Sequence, residues 1–298
     1  MKQVLALGFA VGVGLASPAV TANTVTKASI VSSQNTPDLS CEIKIPQAQV
    51  SAVYPTADHL PENLLRFYIY FSKPMQREDI LSSVYLTDSN GNKVEGVFLD
   101  NRFDLWSADS TRLTLLFDPG RVKTGLVAHN AMGRALQPGY QYQLKIDTSA
   151  IDAEGCHLQQ AYSKSFKAIE ADYSIPDASQ WQISQLKQGS REALTVELNG
   201  LMDHLSLAYR MRVKDHSGAT VPGRIKLSKQ EQQWHFIPDH PWENRRYQLM
   251  VNPVLEDVVG NRLSGLFDQP SLAKESATGQ QWISIPLSVR KIVAKWRR

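Results

Sequence analysis

The side chains that could do chemistry in this chain are its histidines, the aspartates of its turns and one basic cluster. Their spacing limits what that chemistry is. Seven histidines stand singly, at His59, His129, His157, His204, His216, His235 and His240. The nearest pair, His235 and His240, straddles the end of an apolar run, so all seven read as separate surface residues and not as a ligand set. The chain contains no Gly-x-Ser-x-Gly, no His-Glu-x-x-His and no phosphate-cradling glycine loop. No nucleophile or acid–base constellation is visible, and a non-enzymatic protein is expected. Asp152 with Glu154, and Asp257 with Asn261, bring oxygen ligands together. Calcium takes six to eight oxygens, however, and each turn offers one or two carboxylates. The form Asp-x-x-Gly is better explained as a turn in which the Asp side chain accepts from backbone N–H groups. No cofactor and no metal site follows.

Arg121, Lys123, His129 and Arg134 offer a different chemistry. They follow Asp118-Pro119-Gly120 in a glycine-punctuated stretch. Loops carried on a rigid scaffold commonly bind, and this set suits an anionic glycan or the acidic face of a cell-envelope protein. The alternative is a solvated loop kept soluble by its charges. Residues 289–298 form a basic C-terminal tail, with Arg290, Lys291, Lys295, Arg297 and Arg298 around Trp296. Across the whole chain, Lys+Arg 32 against Asp+Glu 29 gives a net charge of +3, too even to point to nucleic acid.

The elements that must position these residues are strands. In Leu65–Phe71, the residues Phe67, Ile69 and Phe71 face one way and Tyr68 and Tyr70 the other, a period of two. Val84–Phe98 reads as a hairpin around Asp88-x-x-Gly91, and Met211–Ile225 repeats it 127 residues later around Asp215-x-x-Gly218. At the same offset Leu194, Val196 and Leu198 repeat Phe67, Ile69 and Phe71, and Met202 repeats Met75. Tyr247, Leu249 and Val251 repeat Tyr142, Leu144 and Ile146 at an offset of 105. The smaller offset places an insertion in the first copy, at Leu105–Ser110 and Gly120–Leu136. A last strand is expected over Gln281–Ser288 with Ile283, Ile285 and Leu287 inward; Pro286, which has no N–H, puts that strand at a sheet edge. No long amphipathic helix is apparent. The chain is expected to be all-β, with two tandem immunoglobulin-like β-sandwich domains over 48–170 and 171–288.

Lys2 followed by the apolar run Val4–Leu15 and the small-residue site Val20-Thr21-Ala22 reads as a signal peptide over residues 1–22. That run is short against the roughly 20 residues of a spanning helix, and no later stretch is apolar enough to cross a bilayer. Residues 23–47 are rich in Ser, Thr, Asn and Gln and read as a flexible N-terminal segment. The only two cysteines, Cys41 and Cys156, lie in the exported part, and a disulfide between them is expected in an oxidising compartment.

The motifs Phe71-Ser72-Lys73-Pro74-Met75, the Asp-x-x-Gly hairpins, Gly139-x-x-Tyr142-x-Leu144 and Asp257-Val258-Val259-Gly260-Asn261 carry a resemblance. Each copy resembles the bacterial Ig-like modules of S-layer and other surface proteins. The resemblance implies a structural, adhesive or spacer role outside the cytoplasm and is silent about any reaction. The first copy also resembles, more faintly, periplasmic copper-carrier sandwiches, whose mature chains start with a ligand His where this one has Asn23. The function expected is an exported, non-catalytic binding or scaffolding protein of the periplasm or cell surface. The alternative is a periplasmic carbohydrate-active or metal-handling protein with its site at the module junction. Acidic or His side chains facing one another across that junction would favour the alternative, and apolar and turn residues alone would favour the first.

Overall fold

The computed structural model describes Cys41 and residues 47–99, 105–122, 133–267 and 281–290. Everything described from residue 47 onward belongs to one unit, Lys44–Arg298. Residues 1–22, expected to be a signal peptide, the N-terminal segment up to residue 46 apart from Cys41, Lys123, His129 and the tail beyond Arg290 lie outside the described residues.

The first sandwich is built from β1 (Val50–Tyr54), β2 (His59–Pro61), β3 (Arg66–Phe71), β4 (Val84–Asp88), β5 (Arg112–Leu116), β6 (Gln141–Ile146) and β7 (Tyr162–Ile169). One sheet runs β1-β3-β5 and the other β2-β7-β6-β4; all pairs are antiparallel except β2 with β7. The second is built from β8 (Gln182–Ile183), β9 (Leu186–Lys187), β10 (Leu194–Glu197), β11 (Met211–Asp215), β12 (Gly223–Ser228), β13 (Gln233–Pro238), β14 (Tyr247–Val251), β15 (Ile283–Leu287) and β16 (Val289–Arg290). Its sheets run β12-β13-β10-β8 and β11-β14-β15, with a parallel β9–β16 pair. The second sandwich, with β8, β10, β13 and β12 on one sheet and β11, β14 and β15 on the other, has the constant-type immunoglobulin arrangement, whereas the first has no strand in the place of β12 and adds the parallel β2 beside β7. A tyrosine corner marks both sandwiches: Gln137 N donates to Tyr142 Oη at 3.0 Å and Glu243 N to Tyr247 Oη at 3.1 Å. The chain is an all-β protein of two tandem Ig-like sandwiches.

Alternation fills the cores. Phe67, Ile69, Leu113, Leu115, Leu86 and Leu144 are buried in the first, and Leu194, Val196, Trp234, Val213 and Leu249 in the second. Short helices precede the corresponding strands β4 and β11: α1 (Ile80–Ser83) and α3 (His204–Arg210); α2 (Pro119–Val122) follows β5.

Two expectations are corrected. The stretch Val84–Phe98 is not a hairpin within one sheet. Around its turn Gly91 N donates to Asp88 O (3.1 Å), Asp88 N to Asn92 O (3.0 Å) and Val94 N to Leu86 O (2.9 Å), and then the chain leaves β4 to bridge Phe98 to Phe117 beside the opposite sheet. The second copy does the same more completely, since β11 pairs with β14 whereas β12 pairs with β13 of the other sheet. Pro222 supplies no N–H to continue the first ladder. Gly223 then passes so close to β13 that a Cβ there would stand 2.5 Å from Phe236 and from Ile237 O. The second correction concerns the last strand. It is an edge strand as Pro286 requires, but only Leu287 is buried, Ile285 is half-buried and Ile283 is exposed.

All four Asp-x-x-Gly turns are built alike. Oδ1 of Asp88, Asp152, Asp215 and Asp257 accepts from the N–H two and four residues on, at 2.8–3.2 Å. The glycines Gly91, Gly155, Gly218 and Gly260 all hold φ between 83° and 87°. Each carboxylate is thus turned onto its own backbone, the geometry of an Asx turn. Both cysteines are disulfide-bonded, and the chain has no others.

Candidate functional site

The basic set resolves into two side chains with internal partners. Arg121 is buried, and its guanidinium donates to Gly133 O (2.9 Å), Glu95 O (2.8 Å), Gly96 O and Arg134 O. Arg134 pairs with Glu62 at 3.2 Å and donates to Val122 O and Tyr173 Oη. Four carbonyls around one guanidinium tie loop segments together, because buried carbonyls need donors. These two cations therefore tie together the described ends of the insertion, at Val122 and at Gly133 and Arg134, and neither displays its full charge to solvent.

The densest gathering of functional groups lies where the sandwiches meet. β3 breaks its alternation there: Tyr68, on the outward face, is as buried as its inward neighbours. The second sandwich covers it. Asp203 caps α3, accepting from Ser206 N at 2.8 Å, and also accepts from Tyr68 Oη at 2.8 Å. Arg66 Nε lies 3.1 Å from Asp203 Oδ2 as an ion pair without a well-directed hydrogen bond. Arg66 Nη2 pairs with Glu256, which also accepts from Arg262 Nε (3.0 Å) and Nη2 (2.7 Å). Burial pushes the Asp203 carboxyl up, against the opposing pull of Arg66.

Among the described histidines, His204 departs furthest from the surface reading. Its ring lies 4.1 Å from and nearly parallel to Tyr54, with Tyr68 and Tyr70 edge-on. Nε2 shares a 2.7 Å hydrogen bond with Tyr70 Oη, while the buried Nδ1 has no protein partner. Burial, with Arg112 and Arg66 nearby, holds its pKa down to about 3, so the ring is neutral at pH 7. A neutral imidazole in an aromatic cage is packing of the kind that favours offset and edge contacts.

A third contact comes from the turn between β12 and β13. Glu231 accepts from Thr56 N and Thr56 Oγ1, both at 2.7 Å, and Lys164 Nζ donates to Thr56 O and Ala57 O at 3.1 Å. Lys229, Gln230 and Glu231 all take left-handed φ, 49° to 62°. Such a run costs about 1–2 kcal/mol per residue, and it persists because surrounding contacts over-determine it. Val258 and Val259, from the Asp257 turn, are buried in the first sandwich's core, and Leu65 N donates to Val258 O at 3.1 Å.

The junction is thus both apolar and charged. Acidic groups and a histidine do face across it, and Asp203, Glu231 and Glu256 are each met by a donor from the first sandwich. Among the described residues no three His, Cys, Asp or Glu side chains gather as a metal site. Beside α3 the network opens into a cleft of about 430 Å³, lined by Arg66, Asp203, Tyr209, Arg210, Glu256 and Arg262 among others. Outward-facing aromatics on β3 were the signal that could have located this junction in the sequence.

No family model and no curated protein matches the sequence. Among solved structures, alpha-2-macroglobulin from Escherichia coli spanning domains MG0-NIE-MG1 is similar at 13% identity, over 82% of this chain and 71% of that one, with a TM-score of 0.27. The S-layer protein rSbsC is similar at 13% over 82% of this chain and 26% of its own, TM-score 0.26. The N-terminal Ig1-2 module of the Drosophila receptor protein tyrosine phosphatase DLAR is similar at 12% over 82% and 99%, TM-score 0.23. Likeness at this level carries no inference about function, and the Ig-like character is read from the sheets and tyrosine corners.

Proposed function

We propose that this chain is an exported, non-catalytic scaffolding and binding protein of the cell envelope. In this reading the two modules, of the kind found in S-layer and other surface proteins, act as one stiff body. The observation that supports it is the junction, where Val258 and Val259 of the second sandwich sit inside the first sandwich's core. Burying a valine side chain is worth about 1.5–3 kcal/mol, and the Glu231–Thr56 and Asp203–Tyr68 contacts fix the angle around it. A scaffold needs that rigidity, because a hinge would lose the spacing it sets. The disulfide and the charged-apolar-small pattern of residues 1–22 support export. Fractionation of cells making the full chain tests this. The protein should appear in the envelope or periplasmic fraction, shortened by about 22 residues, with both thiols oxidised. Recovery from the cytoplasm with the N-terminus intact would overturn it.

A second reading, a ligand site at the junction, is favoured by the cleft beside α3.

A further inference from the structure

Hydrogen-bonding capacity in the cleft is lopsided. Its two carboxylates are already engaged, Asp203 by Tyr68, Ser206 N and Arg66, and Glu256 by Arg66 and Arg262. The cations are not exhausted. Arg66 uses Nε and Nη2, Arg262 uses Nε and Nη2, and the exposed head of Arg210 has no protein partner among the described residues. Donors are left over and acceptors are not. Three arginines against Asp203 and Glu256 leave the lining with one net positive charge.

At the rim stands Tyr209, 72% exposed, the most exposed large hydrophobic side chain described. An aromatic ring held in water beside unspent guanidinium groups presents a flat apolar face next to a planar donor fork. Such a fork matches a carboxylate through two parallel N–H···O bonds. A single net positive charge is neutralised by one carboxylate, whereas a phosphate dianion would overshoot it.

We infer that the junction cleft binds a carboxylate-bearing saccharide, with Arg210 and the free Nη1 groups of Arg66 and Arg262 on the carboxylate and Tyr209 against the sugar ring. This rests on the second reading above, that the junction holds a ligand site. Arg66 thereby has two tasks: its Nε and Nη2 side holds the sandwiches together, and its remaining donors face the cleft. Ligand and junction share a side chain, so occupancy would stiffen the contact between the modules.

The full chain, labelled with nitrogen-15, is titrated with sodium glucuronate, with glucose and with sodium acetate while the amides of α3 are followed. Glucuronate should shift them, glucose should bind at least about tenfold more weakly for want of the charge-assisted bonds, and acetate about fivefold more weakly for want of the ring. Arg210→Ala should weaken glucuronate about tenfold and Arg210→Lys less, since charge survives without the fork. Tyr209→Ala should weaken glucuronate about fivefold and leave acetate unchanged. Both residues are exposed, so circular dichroism melting of these variants should match the parent. Acetate binding as tightly as glucuronate, with Tyr209→Ala indifferent, would overturn the saccharide assignment but leave an anion cleft. No shift with any of the three compounds would overturn the junction site itself.

Discussion

Replacing Asp257 by Asn should make the protein more stable at neutral pH and leave it little changed in acid. The four Asp-x-x-Gly turns share one hydrogen-bond pattern but not one environment. Asp88 and Asp215 are only half-buried, and the hydrogen bonds of the turn, led by Asn92 and Ser217, hold their carboxyls below the usual range. Asp257 is buried at the junction, and that burial pushes its carboxyl up to about 8, with Asp172 adding to the rise. The unfolded chain releases this proton near pH 4, so between about 4 and 8 the folded state holds one proton more than the unfolded state. Stability must then fall as pH rises through that window, by up to about 1.4 kcal/mol per unit. From pH 4.5 to 7.5 the loss from this one group reaches about 4 kcal/mol as an upper bound. Asn keeps an Oδ1 acceptor for Val259 N and Asn261 N, at 2.9 and 2.8 Å in the parent, and carries no charge to bury. Urea unfolding of the full chain and of Asp257→Asn, at half-unit steps across this range, gives the difference directly. That difference should grow steadily with pH in the variant's favour. A difference that is flat, or that shrinks as pH rises, would mean the two backbone hydrogen bonds outweigh burial and the argument fails. Asp88→Asn serves as the contrasting case: it removes a carboxylate whose folded pKa is depressed, so its stabilisation is fully present above about pH 4 and lost only below it, and its difference from the parent should stay flat across this range.

Three further substitutions test how the scaffold is held. Gly223→Ala puts a Cβ 2.5 Å from Phe236 Cζ and Ile237 O and should cost about 1–3 kcal/mol in thermal or urea unfolding; an unchanged midpoint would deny the close crossing from β11 to β12. Arg121→Ala leaves its carbonyl partners without their donor and should lower stability by about 1–3 kcal/mol, whereas display of that residue for a partner would leave the midpoint unchanged. Glu231→Ala strands Thr56 N and Thr56 Oγ1 and should cost about 2–3 kcal/mol, with faster amide exchange at Thr56 and Ala57; exchange confined to the β12–β13 turn would place the effect outside the junction.

Much of the fold was legible because sheets announce themselves locally. The period of two in Phe67-Ile69-Phe71 and Leu194-Val196-Leu198 marks core strands, and all six side chains are buried. Turn chemistry was legible for the same reason, since an Asp and the N–H groups it binds lie within four residues of each other. Topology was less so. The Asp88 and Asp215 turns look like hairpin turns over seven residues, and nothing so local says that the outgoing chain crosses to the other sheet. That choice is made by Pro222, by the space Gly223 leaves beside Phe236, and by pairing with β13.

The junction was the least legible part, and the reason is distance along the chain. Tyr68 meets Asp203 across 135 residues, Arg66 meets Glu256 across 190 and Thr56 meets Glu231 across 175. No periodicity links such pairs. What the sequence does carry is one half of each: Tyr54, Tyr68 and Tyr70 place aromatic rings on the outer face of β1 and β3, where a free sheet surface would be polar. An aromatic outer face asks for a cover, and α3 with its capping Asp203 and caged His204 supplies it. The turn that delivers Glu231 is hidden for another reason, since Lys229, Gln230 and Glu231 are not residues that favour left-handed backbone. Their conformation is imposed by the contact they make. Strain at a turn, a buried carboxylate and an imidazole with an unpaired nitrogen all sit within this one interface. A surface meant only to glue two domains together would be built more cheaply from apolar side chains. The charged groups retained there, and the cleft whose arginines still have donors to give, are why the proposed ligand site is sought at the junction and not on either sandwich alone.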